Sequence, residues 1–429
     1  MTAQQKSNPA MATLLLSAGW LFFGAGPAHA TDGYFALGVG TQQKGAAGTA
    51  IASPRDSLAI ASNPAAALSL GDRTDLGIEV FRPDRSASIV GNAFGADASY
   101  SGNGTSNFFI PEFGYVRQLN EHWAWGVAVY GNGGMNTDYS SNPFARFGAT
   151  GEAGVNFEQL FVTPTLAFRL DEHQSIGVSL NLVAQAFRAK GIAPFATASS
   201  DPANFSNRST DVAYGAGVRI GWLGQINDRL RLGAYYQSRT YTQEFDKYRG
   251  LFADQGAFDI PSNYGVGLNY QLTDTIDLAF DIKRINFSEI DSVGDPLSRL
   301  TVSGIPFGAD NGPGFGWDDI TSYKIGVDWR VSPAWTLRAG VDFNGQPIAA
   351  DQTFLNILAP GVVENQYTVG ATWALSEHVE LTGYALYAPR VTVHGRNSIP
   401  PGAPPGFGGG EANISLAESA FGLAIGWRY

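Results

Sequence analysis

The stretch YKIGVDWRVSPA, residues 323–334, decides the fold of this chain. Apolar positions alternate along it with positions that are polar or glycine. The apolar set is Tyr323, Ile325, Val327 and Trp329, and the other set is Lys324, Gly326, Asp328 and Arg330. A period of two predicts a β-strand with one apolar and one polar face, and the final VSPA predicts a tight turn.

The tight turn repeats along the chain. Six segments share its pattern of one apolar residue followed by small or charged residues: Leu119–His122, Leu170–His173, Ile226–Arg229, Leu272–Thr275, Val331–Ala334 and Leu375–His378. Their starts are 51, 56, 46, 59 and 44 residues apart. This spacing fits two membrane-crossing strands, one turn and one long loop, so the repeat counts the hairpins of one sheet.

The side chains of these strands indicate which solvent surrounds the sheet. A soluble sandwich gives the same alternation, but here the apolar faces carry Trp and Tyr near the strand ends, opposite Arg, Asp, Asn and Gln. That distribution favours a lipid-facing wall around a polar lumen. The last strand, 417–429, ends on Tyr429, which is typical of a terminal signal for the barrel-insertion machinery and equally of an ordinary closing strand.

The N-terminus predicts export. Lys6 precedes an apolar run over 11–23 and the small residues Ala28-His29-Ala30, so residues 1–30 are predicted to be a secretory signal peptide cleaved before Thr31. No other apolar run reaches about 18 residues, which argues against a helical inner-membrane protein. The sequence contains no cysteine, so it offers neither a disulfide nor a lipoprotein anchor.

Counting strands gives the fold class. Six turns join twelve strands, and one more strand at each end, near 74–89 and over 417–429, makes fourteen. We predict an all-β fold, a transmembrane 14-stranded antiparallel β-barrel over residues 72–429 with its long loops outside the cell. The loops are expected near 92–106, 134–155, 189–209, 244–261, 288–318, 345–363 and 391–416. The net charge of −11 argues against nucleic acid as a partner.

Residues 31–71 precede the first strand and show no alternation. We predict that they form an N-terminal hatch that folds into the lumen as a plug. Within it, Pro64 fixes its own φ and biases Asn63 away from helix, while the Asn63 side chain can bond nearby backbone. Asn63-Pro64-Ala65 is therefore expected to set the position of the hatch against the wall.

Several segments together resemble one family. They are the Gly-Ala-rich stretch before Asn63-Pro64-Ala65, FRPD at 81–84, YGNGGMNTDY at 130–139, FRAK at 187–190, AFDIKRINFSEIDSVG at 279–294, and 335–340 followed by Pro347. The chain resembles the FadL-type outer-membrane transporters of long-chain fatty acids and other hydrophobic compounds. The resemblance implies a monomer closed by a hatch. It also implies capture of substrate among the extracellular loops and sideways release into outer-membrane lipid through a gap made by a kinked third strand.

Gly131-Asn132-Gly133-Gly134 lies where that family has its kink. Three glycines in four residues weaken a strand and favour a bulge or bend. Alternatively, these four residues end the third strand and begin the following loop.

Aromatic loop residues form the predicted capture surface, although loop aromatics also pack loops against each other. The set consists of Phe144, Phe147, Phe252, Phe258, Phe307, Phe315 and Trp317. Tyr34 and Phe35, at the start of the hatch, either contact the ligand from below or anchor the hatch to the wall. The resemblance implies that Arg188 meets the carboxylate of a fatty acid, against the alternative of a solvated arginine at the end of a strand.

Two other functions compete with transport of a hydrophobic small molecule. A passive porin for small polar solutes would leave residues 31–71 without a role. A barrel hydrolase would have His394 as its only loop histidine, and no HExxH, G-x-S-x-G or P-loop pattern occurs. The histidines at 122, 173 and 378 occupy turns without metal-ligand spacing. We therefore expect no enzyme activity, cofactor or metal.

Overall fold

The computed structural model describes residues 32–402 and 406–429, and the predicted signal peptide, 1–30, lies outside them. One antiparallel sheet closes on itself around a lumen. Its strands are β1 (Arg73–Val90), β2 (Ala98–Ser101), β3 (Phe108–Gln118), β4 (Trp123–Tyr139), β5 (Ala153–Arg169), β6 (Gln174–Lys190), β7 (Asp211–Asn227), β8 (Leu230–Gln237), β9 (Tyr241–Thr242), β10 (Asn263–Gln271), β11 (Ile276–Ile285), β12 (Ile320–Ser332), β13 (Trp335–Asn344), β14 (Asn365–Ala374), β15 (Val379–Val393) and β16 (Glu411–Arg428).

Fourteen of these strands make the wall. The short strands β2 and β9 only pair with β1 and β7, beyond the ends of β3 and β8, which leaves fourteen of sixteen, and each wall strand pairs with its neighbours in chain order. The ring closes where β1 pairs with β16, from Arg73 opposite Arg428 to Val90 opposite Glu411. The predicted 14-stranded barrel is confirmed.

Within residues 32–402 and 406–429, helical structure is confined to short pieces. The α-helical turns are Thr41–Lys44, Ala67–Leu70, Ala253–Gly256, Asp291–Gly294 and Ser298–Thr301. The 3₁₀ turns are Ser57–Ala61, Pro64–Ala66, Ala145–Phe147, Ala193–Ala198, Pro202–Asn204, Asp246–Tyr248, Phe287–Glu289 and Leu355–Ile357. Among the described residues, no helix has the length and apolar character needed to span a membrane.

The alternation along each strand separates two environments. On β12, Tyr323 and Ile325 are 47% and 43% exposed, whereas Lys324 and Asp328 face the lumen at 3% and 7%. Exposed tryptophans lie near the tight turns at 123, 125, 329, 335 and 373, and exposed tyrosines lie near the loops at 214, 236, 264, 323, 367 and 387. These two aromatic girdles bound the apolar outer band, as in barrels that span a membrane.

The hatch, residues 32–71, fills the lumen and is held by buried ion pairs to the wall. Arg55 Nη2 lies 2.5 Å from Asp328 Oδ2 on β12, and Lys44 Nζ lies 2.5 Å from Glu79 Oε2 on β1. In both pairs the hatch supplies the cation and the lumen face of the wall supplies the carboxylate. Polar residues that the alternation predicted to face the lumen therefore bind the hatch.

Asn63 anchors the middle of the hatch. Its Oδ1 accepts from the N–H of Ala65 at 3.1 Å, and its Nδ2 donates to the carbonyls of Ile51 at 2.7 Å and Trp222 at 2.9 Å. Gly221 of β7 makes this approach possible, because a Cβ there would lie 2.1 Å from Asn63 Oδ1. The tripeptide thus forms a capped turn seated directly on the wall.

Two predicted loops are shorter than expected. The loop expected at 391–416 shrinks because β15 continues to Val393 and β16, predicted to begin at residue 417, already begins at Glu411. The expected loop 134–155 shrinks because β4 continues to Tyr139 and β5 already begins at Ala153. The alternative in which Gly131–Gly134 end the third wall strand is therefore wrong. The backbone pairing of both strands extends past the glycines.

Candidate transport route

The third wall strand, β4, carries a bulge. It pairs with β5 along its whole length, but the register shifts between Gly131 and Gly133, so that Asn132 has no opposite residue. A one-residue bulge bends a strand and increases its twist. The bend lies at the predicted position, within Gly131–Gly134.

The wall parts on the other side of β4. The ladder between β3 and β4 covers Phe113–Gln118 and Ala124–Val129. Further towards the loops, the remaining half of β3 pairs with β1, and β4 from Tyr130 to Tyr139 has β5 as its ladder partner. The ladder between β3 and β4 thus ends two residues before the bulge, and we call the unpaired stretch beyond Val129 the gap between these strands.

The start of the hatch occupies this gap from inside. The N–H of Ala36 donates to the carbonyl of Asn132 at 2.8 Å, and the N–H of Gly134 donates to the carbonyl of Tyr34 at 2.9 Å. A Cβ on Gly133 would lie 1.9 Å from the Tyr34 carbonyl oxygen, so only glycine permits this contact. We call Tyr34–Ala36 the gate segment.

An aromatic cluster surrounds the gate segment. The Tyr34 ring lies 5.1 to 6.2 Å, between centroids, from the rings of Phe35, Phe157, Phe258, Phe287 and Trp317. We call these six residues the inner cluster. The ring centroid of its member Phe157 lies 6.3 Å from that of Phe187, and the Phe187 centroid lies 4.6 Å from that of Phe252 in an extracellular loop. Aromatic contacts thus run without a break from the hatch to the loops.

A second cluster lies among the extracellular loops. Its five members, the loop cluster, are Phe144, Phe147, Phe195, Phe354 and Phe407, with centroid separations of 5.0 to 6.0 Å. A small apolar cavity separates it from the inner cluster, and both Phe144 and Phe187 line this cavity. The loop cluster, this cavity and the inner cluster are thus contiguous from the loops to the gate segment.

Comparison with known proteins fixes the family. The family model described as "Outer membrane protein transport protein (OMPP1/FadL/TodX)" matches residues 36–389, most of the 429-residue chain. The chain belongs to this family. It is accordingly an outer-membrane transport protein.

Two curated relatives of this OMPP1/FadL/TodX family member share a low but extended identity with it. Outer membrane protein P1 of Haemophilus influenzae is 23% identical over 345 residues, which cover 70% of this chain and 71% of that protein. The long-chain fatty acid transport protein of Escherichia coli is 22% identical over 322 residues, or 65% and 69% of the two chains.

Solved structures share the fold of this OMPP1/FadL/TodX family member. The toluene transporter TodX of P. putida superposes with a TM-score of 0.66 at 17% identity, covering 92% of this chain and 99% of that one. A FadL homologue from Pseudomonas aeruginosa gives 0.67 at 16% identity, with 92% and 99% covered. At such identities the likeness concerns the barrel architecture alone.

The predicted ligand residues fall into two groups within this family member. Phe144 and Phe147 belong to the loop cluster, whereas Tyr34, Phe35 and Trp317 meet at the gate segment. The backbone groups of Tyr34 and Ala36 bond to β4 on either side of Phe35, which pairs with Gly133, and the rings of Tyr34 and Phe35 remain in the inner cluster.

Arg188 is not brought to the interior. Successive residues of a strand point to opposite faces, and Phe187 takes the lumen side while Arg188 is exposed on the outer side, which it shares with Leu182. The implied contact between Arg188 and an interior carboxylate is therefore wrong for this chain. His394, the histidine considered for a hydrolase, is exposed just beyond the end of β15.

Charged residues beside the gate segment were missed by the sequence analysis. Asp32 lies 3.2 Å from the Nζ atoms of both Lys283 and Lys324. Burial alone would raise the pKa of the Asp32 carboxyl, but Lys324 and Lys283 outweigh it and hold that pKa below its ordinary value. A cavity next to them is lined by Phe35, Arg219 and both lysines. Charged residues in the middle of predicted membrane strands were the available signal.

Proposed function

We propose that this protein takes up hydrophobic compounds at its extracellular loops and releases them into the outer membrane through the gap between β3 and β4. The observation that carries the proposal is the gate segment, which lies in that gap and in the inner aromatic cluster at once. A molecule leaving the inner cluster meets the gap before it meets the periplasmic end of the lumen.

The energetics of an apolar ligand favour this exit. Each buried CH₂ contributes about 0.8 kcal/mol, so aromatic side chains bind such a molecule with few polar contacts. Passage through a polar lumen would forfeit this free energy, whereas a sideways step transfers the ligand directly into hydrocarbon. The relatives named for toluene and long-chain fatty acid transport support the same ligand class.

The gate opens at low cost in this scheme. Two backbone hydrogen bonds hold Tyr34–Ala36 to β4, and each contributes about 0.5–1.5 kcal/mol net. A ligand that replaces the ring of Phe35 in the aromatic cluster compensates for part of this loss. The rest of the hatch stays bound through its ion pairs and Asn63.

A reversible crosslink tests the proposal. Ala36 and Asn132 are opposite each other in the short ladder, where Cα atoms lie about 5.5 Å apart, within the reach of a disulfide. Because the chain has no cysteine, the double variant Ala36→Cys/Asn132→Cys forms a single defined bond. We expect saturable uptake of a labelled hydrocarbon or fatty acid to stop under oxidising conditions and to return with reductant.

The two single-cysteine variants are the matched controls and should transport under both conditions. Full uptake by the oxidised double variant, with the crosslink verified by mass spectrometry, would contradict lateral release through this gap. A passive porin predicts a different result, because small polar solutes would then enter wild-type cells at a rate that does not saturate.

A further inference from the structure

Glu418 of β16 is a buried carboxyl group without a hydrogen-bond partner. It is 2% exposed and lies on the inward face of the strand, between Leu416 and Ala420. Neither Oε1 nor Oε2 has a partner in the part of the chain that the structure describes. Burial of a carboxyl group that makes no hydrogen bond is costly, so such a group normally meets a donor from a ligand or a water molecule.

The residues around Glu418 do not supply this donor. Pro83 of β1 and Ala388 of β15 lie directly opposite it in the two ladders, and neither side chain carries a donor. Arg85, two positions along β1 from Pro83, faces the same part of the lumen. Its guanidinium group already donates to three other residues: Asn103, Thr105 and Asn136. The carboxyl group of Glu418 therefore remains available to an incoming molecule.

A small cavity adjoins Glu418. Its volume is about 20 Å³, enough for one group of the size of water, such as a hydroxyl. Leu416 and Pro83, the neighbours of Glu418 along its strand and across the ladder, both line it. Trp317 of the inner cluster lines it too, as does Met135 on the stretch of β4 that borders the gap. Glu418 thus lies beside the step from the inner cluster to the gap.

The rest of the lining indicates the chemistry of the molecule that fits. Apart from Arg85 and Asn136, which bond to each other at 2.7 Å, the lining residues are apolar or glycine. Arg85 disfavours a cation by its charge, and an ionised acid offers Glu418 no donor. A carboxyl group accepts a hydrogen bond from an O–H group whether it is ionised or neutral. These features suit a neutral molecule with an apolar body and one hydroxyl group.

We propose that Glu418 accepts a hydrogen bond from the hydroxyl group of a phenol or an alcohol, and that this chain therefore takes up neutral hydroxylated compounds as well as hydrocarbons. This inference rests on the proposed function, because the cavity lies on the proposed route between the inner cluster and the gap. A hydroxyl group that leaves water without a new partner carries a desolvation cost. The bond to Glu418 offsets this cost, whereas a hydrocarbon gains nothing from the residue.

The test compares two molecules of the same shape, since p-cresol has a hydroxyl group where p-xylene has a methyl group. Both, labelled, are equilibrated by dialysis with the purified full-length protein in detergent, as wild type, Glu418→Gln and Glu418→Leu. Leucine removes an unpaired buried carboxyl group, so this variant should fold. We expect Glu418→Leu to weaken p-cresol about tenfold and to leave p-xylene unchanged. Glu418→Gln keeps an acceptor in place and should retain most of the affinity for p-cresol.

Glu411→Leu is the matched control, because Glu411 begins the same strand at its loop end, away from the cavity, and should affect neither ligand. Equal weakening of both ligands by Glu418→Leu would overturn the hydroxyl bond, since a change in packing alone gives that result. Unchanged binding of p-cresol in Glu418→Leu would overturn it as well. Tighter binding of 4-methylbenzylammonium than of p-cresol by the wild type would overturn it in favour of a cation site.

The proposed function is tested separately from Glu418. Uptake of p-xylene by wild-type cells, and its arrest in the oxidised Ala36→Cys/Asn132→Cys variant, does not involve a hydroxyl group. Failure of p-xylene uptake would therefore count against the exit route, whereas a normal uptake of p-xylene with no effect of Glu418→Leu on p-cresol would count against the hydroxyl site alone.

Discussion

The hatch is attached to the barrel in two different ways on its two sides. Towards β1, β3, β11 and β12, buried ion pairs hold it, such as Lys44 with Glu79 and Arg55 with Asp328. Towards β4, two backbone hydrogen bonds hold the gate segment. A buried ion pair with one partner removed costs far more than one lost hydrogen bond. The comparison indicates that the body of the hatch, together with Asp32 in its ion pairs to Lys283 and Lys324, is fixed, and that the gate segment Tyr34–Ala36 is the part able to move.

The largest effect is expected from breaking the fixed side. Asp328 binds two arginines, Arg55 at 2.5 Å and Arg338 at 2.6 Å, so Asp328→Ala leaves two buried guanidinium groups without a carboxylate. We expect destabilisation of about 3–5 kcal/mol and a loosened hatch. Single-channel conductance in planar bilayers should rise, because the lumen then admits small ions. Asp228→Ala, at an exposed turn position, is the control. An unchanged conductance would show that the ion pairs do not fix the hatch.

A smaller effect is expected at the movable side. Gly133→Ala places a methyl group 1.9 Å from the Tyr34 carbonyl, which displaces the gate segment and breaks its two hydrogen bonds. With Ala36→Cys as a reporter, thiol labelling should accelerate about tenfold or more relative to the same reporter in the Gly133 background. Conductance should stay low, since the ion pairs remain. Labelling at the same rate in both backgrounds would mean that the gate segment is held by something other than β4.

The smallest effect concerns pH. Burial and the neighbouring Asp75 raise the pKa of the Asp56 carboxyl in the hatch to about 7. The folded state therefore favours the protonated acid, and this contribution to stability is complete below the ordinary pKa of about 4 and is lost as pH rises through about 7. We expect the midpoint temperature of thermal unfolding to decrease as the pH is raised from about 5.5 to about 8.5.

Asp56→Asn is the matched variant, because an amide oxygen can still accept from the N–H of Leu58, as Asp56 does at 2.9 Å. The fall of the midpoint with pH should be smaller in this variant. A wild type whose midpoint rises over the same range would contradict a raised pKa of the Asp56 carboxyl in the folded protein.

The strands were predictable from sequence because lipid and lumen impose different side chains on their two faces. The six turns and the alternation located every wall strand, including Tyr323–Trp329 on β12. The gap was not predictable in this way. It depends on where the backbone hydrogen bonds between β3 and β4 end. That ladder ends at Val129 of β4, and nothing in the amino-acid sequence at this position indicates it.

The interior site was predicted only in part. Tyr34, Phe35 and Trp317 meet as rings of one cluster, and large aromatics near a plug are visible in the sequence. Arg188 was assigned by resemblance to a motif, and a one-residue difference in position is enough to put a strand side chain on the other face.

The extra residue Asn132 also changes which residues of β4 face inward. Before the bulge the even-numbered residues, such as Ala128 and Tyr130, are the buried ones, and after it the odd-numbered Thr137 and Tyr139 face inward, bonded to loop carbonyls. The bulge therefore depends on how many residues β4 contains, whereas its contact with the gate segment depends on the glycine at position 133. Deleting this one asparagine would leave a regular ladder, in which Gly131 and Gly133 follow one another opposite Leu160 and Gln159 while Thr137 and Tyr139 keep facing inward.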